Sequence, residues 1–245
     1  KNVDLILITG DLGKADLARK IAFENVERRK NNLSKRELNK EEAKKIHFEI
    51  HDSTIQILKY LSKTAPVYSL QGNVGITNAS QIKEDKKKYG INLPYTLNII
   101  NNMANIYLVK NQLRNINKLR IGFLEYFVDN CWIKEFGEKD KKRIKNAKKE
   151  TEKAKRILER FDNLDILLCH QPPYGYLDKV NFPGAPIGWK GKHAGSKVIL
   201  DYIKKEQPRY VFCGHIHEAK GKTKIGRTEI YNVGSKGDYV LLNID

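Results

Sequence analysis

The segment VFCGHIHEAKG, residues 211–221, leads from an apolar, strand-like stretch through Gly214 into two histidines one residue apart, His215 and His217. In extended chain, alternate side chains point to the same side, so these imidazoles can converge on one point. Converging imidazoles suggest metal ligands, although an isolated HxH pair also occurs in ordinary surface turns. The interpretation therefore depends on which residues follow the other strands.

Eight short apolar or β-branched runs bounded by turn residues predict buried strands. They are VDLILIT (3–9), PVYSLQ (66–71), NIYLVK (105–110), KLRIGFLEY (118–126), DILLC (165–169), RYVFC (209–213), TEIYNV (228–233) and YVLLNI (239–244). Polar segments with helical periodicity lie between the early strands, most clearly at 138–161. Early alternation of strands and helices, followed by a strand-rich end, predicts an α/β or α+β fold around mixed sheet.

Residue types that bind metals follow four of these strands. The strand ends are Gly10-Asp11, Gly72-Asn73, His170 and Gly214-His215-Ile216-His217. In open α/β sheets, sites form where chains leave the carboxyl ends of strands, so these side chains can meet at one edge. One carboxylate, one amide oxygen and three imidazoles, without thiolate, suit Mn²⁺, Fe²⁺ or Zn²⁺ in an open catalytic site.

Four motifs in the chain resemble those of the calcineurin-like metallophosphoesterases, in the order and spacing of that family. They are GDLG (10–13), GNVG (72–75), CHQPPYG (169–175) and GHIHE (214–218). Together with HAGSK (193–197) and NVGS (232–235), they look most like the prokaryotic predicted phosphoesterases related to the bacterial cyclic-AMP phosphodiesterase. The resemblance implies a sandwich of two mixed β-sheets flanked by helices. We expect one domain over 1–245, with a Lys-rich helical excursion at about 14–64.

The resemblance also implies a site with two divalent metal ions, Mn, Fe or Zn. Asp11 would bridge both ions, Asn73, His170 and His215 would hold the second, and His217 would belong to the first. Asp11, His170 and His215 are the expected catalytic residues. The expected function is hydrolysis of a phosphomonoester or phosphodiester by a metal-activated hydroxide.

The chain departs from the family pattern at its start. The family's DxH motif lies in its first strand, whereas the first strand predicted here corresponds to the second, so two ligands of the first ion are missing. We expect an N-terminal segment in the native protein to supply them. Without it, one ion or none would be bound.

The second departure is Val74, which occupies the position of the family's catalytic histidine, followed by Gly75 in place of an acidic residue. Valine cannot donate a proton. His193 is the candidate replacement, with Ser196 at the start of a helix and Tyr174 lining the same cleft as substrate-binding residues. The alternatives are that His193 is only a loop residue, that Ser196 is only a helix cap, and that Tyr174 has a packing role.

Charge and composition limit the partners. The formal net charge is +17, with 46 Lys and Arg, of which 11 are Arg. A surplus of Lys favours a phosphorylated small-molecule or nucleotide substrate over sequence-specific nucleic-acid binding. No apolar run approaches the ~20 residues that cross a bilayer, so we expect a cytoplasmic protein without membrane contact. A nuclease, and a catalytically weakened scaffold that binds a protein partner, stay open as alternatives, and the oligomeric state is not predicted.

Overall fold

The structure, a computed structural model, describes residues 3–74 and 77–244 of the chain. Contacts divide the chain into two compact units, Lys1–Leu108 and Val109–Asp245, each with its own sheet and helices. The single domain expected over 1–245 stays a prediction. Gly75, at the position of the family's acidic residue, lies outside the described residues.

The first unit is built on three short parallel strands in the order β1-β2-β3. The strands are β1 Ile6–Ile8, β2 Val67–Ser69 and β3 Ile106–Leu108. Parallel neighbours need crossover connections, and helices provide them. Between β1 and β2 lie α1 Asp16–Lys30 and α2 Lys40–Leu61, which occupy the Lys-rich residues 14–64; α3 Ala79–Tyr89 and α4 Thr96–Asn101 lie between β2 and β3.

Helix α2 begins at a capping box. The Asn39 side chain accepts from the Glu42 backbone N–H, and the Glu42 carboxylate accepts from the Asn39 N–H, which satisfies two backbone donors of the first turn. Further along, Leu58 turns into the core and packs with Val67 and Ile106, all nearly inaccessible to water. The cap and the apolar face together fix α2 on its sheet.

The second unit carries a mixed six-stranded sheet in the order β4-β5-β6-β7-β9-β8. The strands are β4 Gln112–Ile116, β5 Leu119–Leu124, β6 Ile166–Cys169, β7 Tyr210–Cys213, β8 Gly221–Ile225 and β9 Thr228–Asn232. The four inner strands pair in parallel, and both edge strands are antiparallel. The carboxyl ends of β6 and β7 are therefore adjacent.

Three helices complete the second unit: α5 Asn130–Glu135, α6 Lys141–Leu158 and α7 Lys197–Glu206. The apolar stripe expected at 138–161 is confirmed, because Ala147, Ala154 and Leu158 of α6 are buried whereas its Lys-rich face is exposed. Ala154 and Leu158 pack in the core with residues of β6 and β7. The positive charge of α6 thus lies on a solvated face.

Two strand predictions differ from the structure. Residues 239–244, predicted as a strand, form none within the described residues, and Tyr239 there is 81% exposed. An apolar run becomes a strand only when a neighbouring strand completes its backbone hydrogen bonds. The polar edge strand β4 was not predicted. It forms a hairpin with β5 through Asn117 and Lys118, both with positive φ (48° and 68°), as a tight hairpin turn requires.

The α/β fold class with two sheets and flanking helices is confirmed. The described sheet of the first unit is parallel throughout, and that of the second unit is mixed. Among the described residues, no helix has the length and apolar character that crossing a bilayer requires.

Candidate functional site

The loop after β1 presents the carboxylate of Asp11. Asp11 has a left-handed backbone (φ 53°) and donates its N–H to the Gln71 carbonyl, 3.0 Å away. Its Oδ1 accepts the backbone N–H of Val74 at 2.7 Å. The side chain is therefore held in one orientation by the loop that follows β2.

Gly72 allows that approach. Its φ is +83°, and a Cβ built there would lie 2.3 Å from Asp11 Oδ1 and 2.6 Å from the Asp11 backbone nitrogen. No other residue type fits without moving Asp11. The Gly-Asp and Gly-Asn strand ends thus meet at the edge formed by β1 and β2, with Asn73 exposed beside them.

Val74 has a structural part in this arrangement. The family resemblance implies only that Val74 stands where a catalytic histidine is expected, and its side chain has no proton to transfer. Its backbone N–H, however, orients the Asp11 carboxylate. This contribution comes from the main chain, so no side-chain pattern could have revealed it.

In the second unit, His170 and His215 follow the adjacent strands β6 and β7. His170 is 1% exposed, and its carbonyl accepts the Gly214 N–H at 2.9 Å. The two ring centroids are 5.0 Å apart, and one ring nitrogen of each lies within 4.8 Å of the other. Two imidazoles brought this close by neighbouring strand ends could hold a divalent metal ion.

Aromatic rings fix both imidazoles. Trp132 stacks on His215 with centroids 5.5 Å apart and planes 4° apart. Tyr126 meets His170 edge-on at 5.6 Å and lies 5.5 Å from His215. Sequence reasoning missed both aromatic residues. Tyr126 could have been found, because it follows β5 as the histidines follow β6 and β7, whereas Trp132 carries no local signal.

The donor types of the second unit fit a borderline divalent ion, because they are the imidazole nitrogens of His170 and His215. Burial raises the pKa of the Cys131 thiol, next to Trp132, to about 12, so this thiol stays protonated and is not a thiolate ligand. Imidazole nitrogens without thiolate suit an open, catalytic metal site better than a closed structural zinc site.

The extended-chain argument for His215 and His217 is wrong. β7 ends at Cys213, His215 has a left-handed backbone (φ 65°), and His217 begins a 3₁₀ turn, His217–Ala219. The two histidines therefore lie in a turn, where alternation of side chains does not apply. The role of His217 as a ligand stays a prediction.

The three residues predicted to bind substrate differ in what they contact. Ser196 caps α7: its hydroxyl accepts the Ile199 N–H, donates to Asp129 Oδ2 at 2.6 Å and is fully buried. Ser196 is therefore a helix cap, as the alternative interpretation has it. Both hydrogen bonds of its hydroxyl are made to groups of the protein itself. Tyr174 and His193 lie together on a partly exposed loop, with ring centroids 5.1 Å apart.

A second histidine pair, His47 and His51, lies in helix α2 of the first unit. An HxxxH pair can be half of a zinc site. Here the rings stack with centroids 5.6 Å apart, and the Nδ1 atoms contact the hydroxyls of Thr77 (3.1 Å) and Thr96 (2.7 Å). Among the described residues this pair joins no metal-ligand cluster. The pair packs α2 against its neighbours.

Burial of His47 makes stability depend on pH. Burial, and next the His51 charge, lower the pKa of His47 below its usual 6.5. The unfolded chain therefore binds this proton more readily, so the free energy of unfolding is highest above pH 6.5 and falls as pH decreases from 6.5 to the lower folded pKa. Denaturant unfolding by circular dichroism across this range should show that fall. His47→Gln should reduce it, whereas Lys45→Gln, an exposed change in the same helix, should leave it unchanged.

Comparison with known proteins agrees with this geometry. A family model described as metallophosphoesterase, calcineurin superfamily, matches residues 1–245. A UPF0046 protein of Caenorhabditis elegans is 36% identical over 70 residues, covering 28% of this chain and 16% of that protein. An uncharacterized protein of Methanocaldococcus jannaschii is 37% identical over 78 residues, covering 31% and 33%. The chain thus spans a third or less of these curated relatives.

A solved crystal structure resembles the fold with a TM-score of 0.53 at 14% sequence identity, covering 96% of this chain and 80% of the other. At this identity the likeness shows the fold alone. The narrower resemblance to relatives of the bacterial cyclic-AMP phosphodiesterase stays a prediction. The match to the family model over the whole sequence establishes that this chain belongs to the calcineurin-like metallophosphoesterase superfamily.

Proposed function

We propose that the protein is a metal-dependent phosphoesterase that hydrolyses a phosphomonoester or phosphodiester. The observation that carries the proposal is the pair of His170 and His215, with ring nitrogens within 4.8 Å of each other on adjacent strand ends. Two neighbouring imidazoles repel each other when both are protonated. A bound cation favours their neutral forms, in which the ring nitrogens can act as ligands. Members of this superfamily generally act on phosphorylated substrates.

The proposed ligands are the five strand-end residues: Asp11, Asn73, His170, His215 and His217. They would hold divalent ions of the Mn, Fe or Zn type, with Asp11 as the shared carboxylate. When bound, such ions lower the pKa of a coordinated water and neutralise charge on a phosphoryl group. The protein's own contribution is orientation: Val74 fixes the Asp11 carboxylate, and Trp132 and Tyr126 fix the imidazoles.

A phosphorylated small molecule or nucleotide in the cytoplasm is the substrate we propose. The net charge of +17 attracts anions at low salt, and it comes mostly from Lys, which acts as a point charge rather than a reader of bases. If the enzyme were a nuclease, its affinity for oligonucleotides would fall steeply with salt.

A catalytically weakened scaffold that binds a protein partner is the second candidate, and Val74 is the residue that favours it. A histidine that helps to protonate a leaving group contributes ~10² to 10⁴ in rate, and valine contributes nothing of the kind. The scaffold would retain metal ligands for structural reasons alone.

The two candidates differ in one measurement. Metal-free protein is titrated with Mn²⁺ in a calorimeter, and hydrolysis of bis(p-nitrophenyl) phosphate and p-nitrophenyl phosphate is followed with Mn²⁺ and with a chelator. An esterase should bind Mn²⁺ and hydrolyse one of these compounds only when the metal is present. Binding of Mn²⁺ without hydrolysis of either compound would favour the scaffold and contradict the proposal.

A further inference from the structure

We infer that His193, held by Asp178, is the general acid that protonates the leaving group; the inference rests on the proposed phosphoesterase function and deepens it. Asp178 was not found by sequence reasoning. It would be a positioning residue, because it acts through His193.

The geometry of the pair is that of a histidine–carboxylate dyad. His193 Nδ1 lies 2.7 Å from Asp178 Oδ1, and the side chains are 28% and 1% exposed, respectively. A carboxylate only accepts hydrogen bonds, so the proton of the neutral ring is on Nδ1, and Nε2 is the nitrogen that exchanges a proton with a bound molecule. A buried carboxylate that fixes the tautomer in this way is the arrangement used by catalytic histidines.

Asp178 is itself fixed by the surrounding loops. Its Oδ2 accepts the backbone N–H groups of Gly175 (2.9 Å) and Gly195 (3.0 Å). A Cβ at Gly195 would lie 2.7 Å from the same Oδ2 and 2.6 Å from the Pro173 carbonyl oxygen, so the backbone packs tightly around the carboxylate. The Asp178 carboxylate is therefore rigid and holds the His193 imidazole in one orientation, as catalytic groups require.

Trp132 connects the dyad with the imidazole of His215. Its ring stacks on His215, and its Nε1–H donates to the Gly195 carbonyl at 2.8 Å. Gly195 donates in turn to Asp178. Trp132 thus contacts His215 directly and the dyad only through Gly195, and all of these groups belong to the second unit.

The loop around His193 also suits an anionic ligand. The Lys197 ammonium lies 4.8 Å from the centre of the Tyr174 ring, which in turn packs against His193. The Tyr174 hydroxyl donates to Glu135 Oε2 at 3.2 Å, which keeps the ring in place. A cation beside the ring that packs against the imidazole favours binding of a phosphate ester near this loop.

The proposed step is balanced with water as the second reactant. The water oxygen forms a bond to phosphorus and releases a proton to solvent. The bond from phosphorus to the ester oxygen breaks, its electron pair goes to that oxygen, and the proton on His193 Nε2 passes to it. Solvent then returns a proton to Nε2. The products are an alcohol and a phosphate.

The experiment compares two esters, bis(p-nitrophenyl) phosphate and dimethyl phosphate assayed for methanol release, in wild type, His193→Ala and His193→Gln. A p-nitrophenolate ion leaves without a proton, whereas methoxide needs one. We expect the variants to lose about 100-fold on methanol release and much less on the activated ester. Added imidazole should restore part of the methanol release in His193→Ala. Lys190→Ala, an exposed change in the same loop, should not alter either rate.

Asp178→Asn tests the positioning role through the pH profile. An amide can accept through oxygen or donate through nitrogen, so it no longer enforces one tautomer, and the limb of the profile that reports the acid should shift. The imidazole ¹⁵N signals of His193, recorded over the same pH range without metal, should shift with it. This second readout does not depend on turnover.

Three outcomes would overturn the inference. Equal losses on both esters without imidazole rescue would assign His193 a loop-holding role, and unchanged rates would assign it none. Absence of metal-dependent turnover in the wild type would overturn the phosphoesterase function itself and this inference with it. The wild-type rate therefore separates failure of the function from failure of the His193 assignment.

Discussion

Asp11→Asn should lower metal-dependent hydrolysis by about 10² to 10³-fold, because preorganised electrostatic groups of a site contribute on this order. The substitution removes the negative charge of the Asp11 side chain and leaves its size unchanged. Asparagine has the same size, adopts a left-handed backbone as readily as aspartate, and can still accept the Val74 N–H through its amide oxygen. Loss of activity would therefore report the missing charge of a metal ligand rather than a disturbed loop.

The matched control is Asp16→Asn in the first turn of α1. It removes the same charge from an exposed residue of the same unit, so the hydrolysis rate should be unchanged. For Asp11→Asn, calorimetry should show weaker Mn²⁺ binding, and denaturant unfolding should show a free energy within about 1 kcal/mol of wild type. Full activity in Asp11→Asn would refute the assignment of Asp11 as a metal ligand.

The strand-end residues could be predicted from sequence because their signal is local. An apolar run followed by Gly-Asp, or by histidine, predicts both the strand and the polar side chain at its end. That rule located Asp11 and His170 at the edges where the structure has them, after β1 and β6. Their roles as ligands rest on the family resemblance and stay proposals.

The contacts that support the site could not be predicted in the same way. Asp178 and His193 are 15 residues apart, and the segment between them shows no helical or strand period that would bring them together. Trp132 reaches Gly195 across 63 residues. Such contacts depend on how loops fold over the sheet. The failed strand at 239–244 has the same cause, since pairing depends on a neighbour that the segment's own residues do not specify.

The backbone conformation of the segment after β7 differs from the extended chain that the sequence predicts, and the reason is again a different one. The pattern Gly-His-Ile-His reads as extended chain, yet the structure puts His215 in the left-handed region and continues into a turn. Only the backbone angles distinguish the two, because a histidine is uncommon but permitted at positive φ. A histidine follows β7 in either conformation, so its place at the strand end does not depend on the local backbone angles.

Gly72→Ala should destabilise the protein by about 3 kcal/mol, the sum of a left-handed backbone for a residue with a Cβ (~1 to 2 kcal/mol) and overpacking (~1 to 3 kcal/mol). The added methyl group would lie 2.3 Å from Asp11 Oδ1, so the carboxylate must move. We therefore expect denaturant unfolding at a lower midpoint and, because Asp11 is displaced, weaker Mn²⁺ binding in the calorimeter.

Gly90→Ala separates the two costs. Gly90 ends helix α3 with φ +65°, and a Cβ there would meet nothing within 4 Å, so the change adds the backbone cost of about 1 to 2 kcal/mol without any clash. It should leave Mn²⁺ affinity unchanged. If Gly72→Ala were no more destabilising than Gly90→Ala and bound Mn²⁺ as well as wild type, the close contact of Gly72 with Asp11 would not be what orients the carboxylate. A larger loss confined to Gly72→Ala would show that the glycine is required by the site and not by the turn alone.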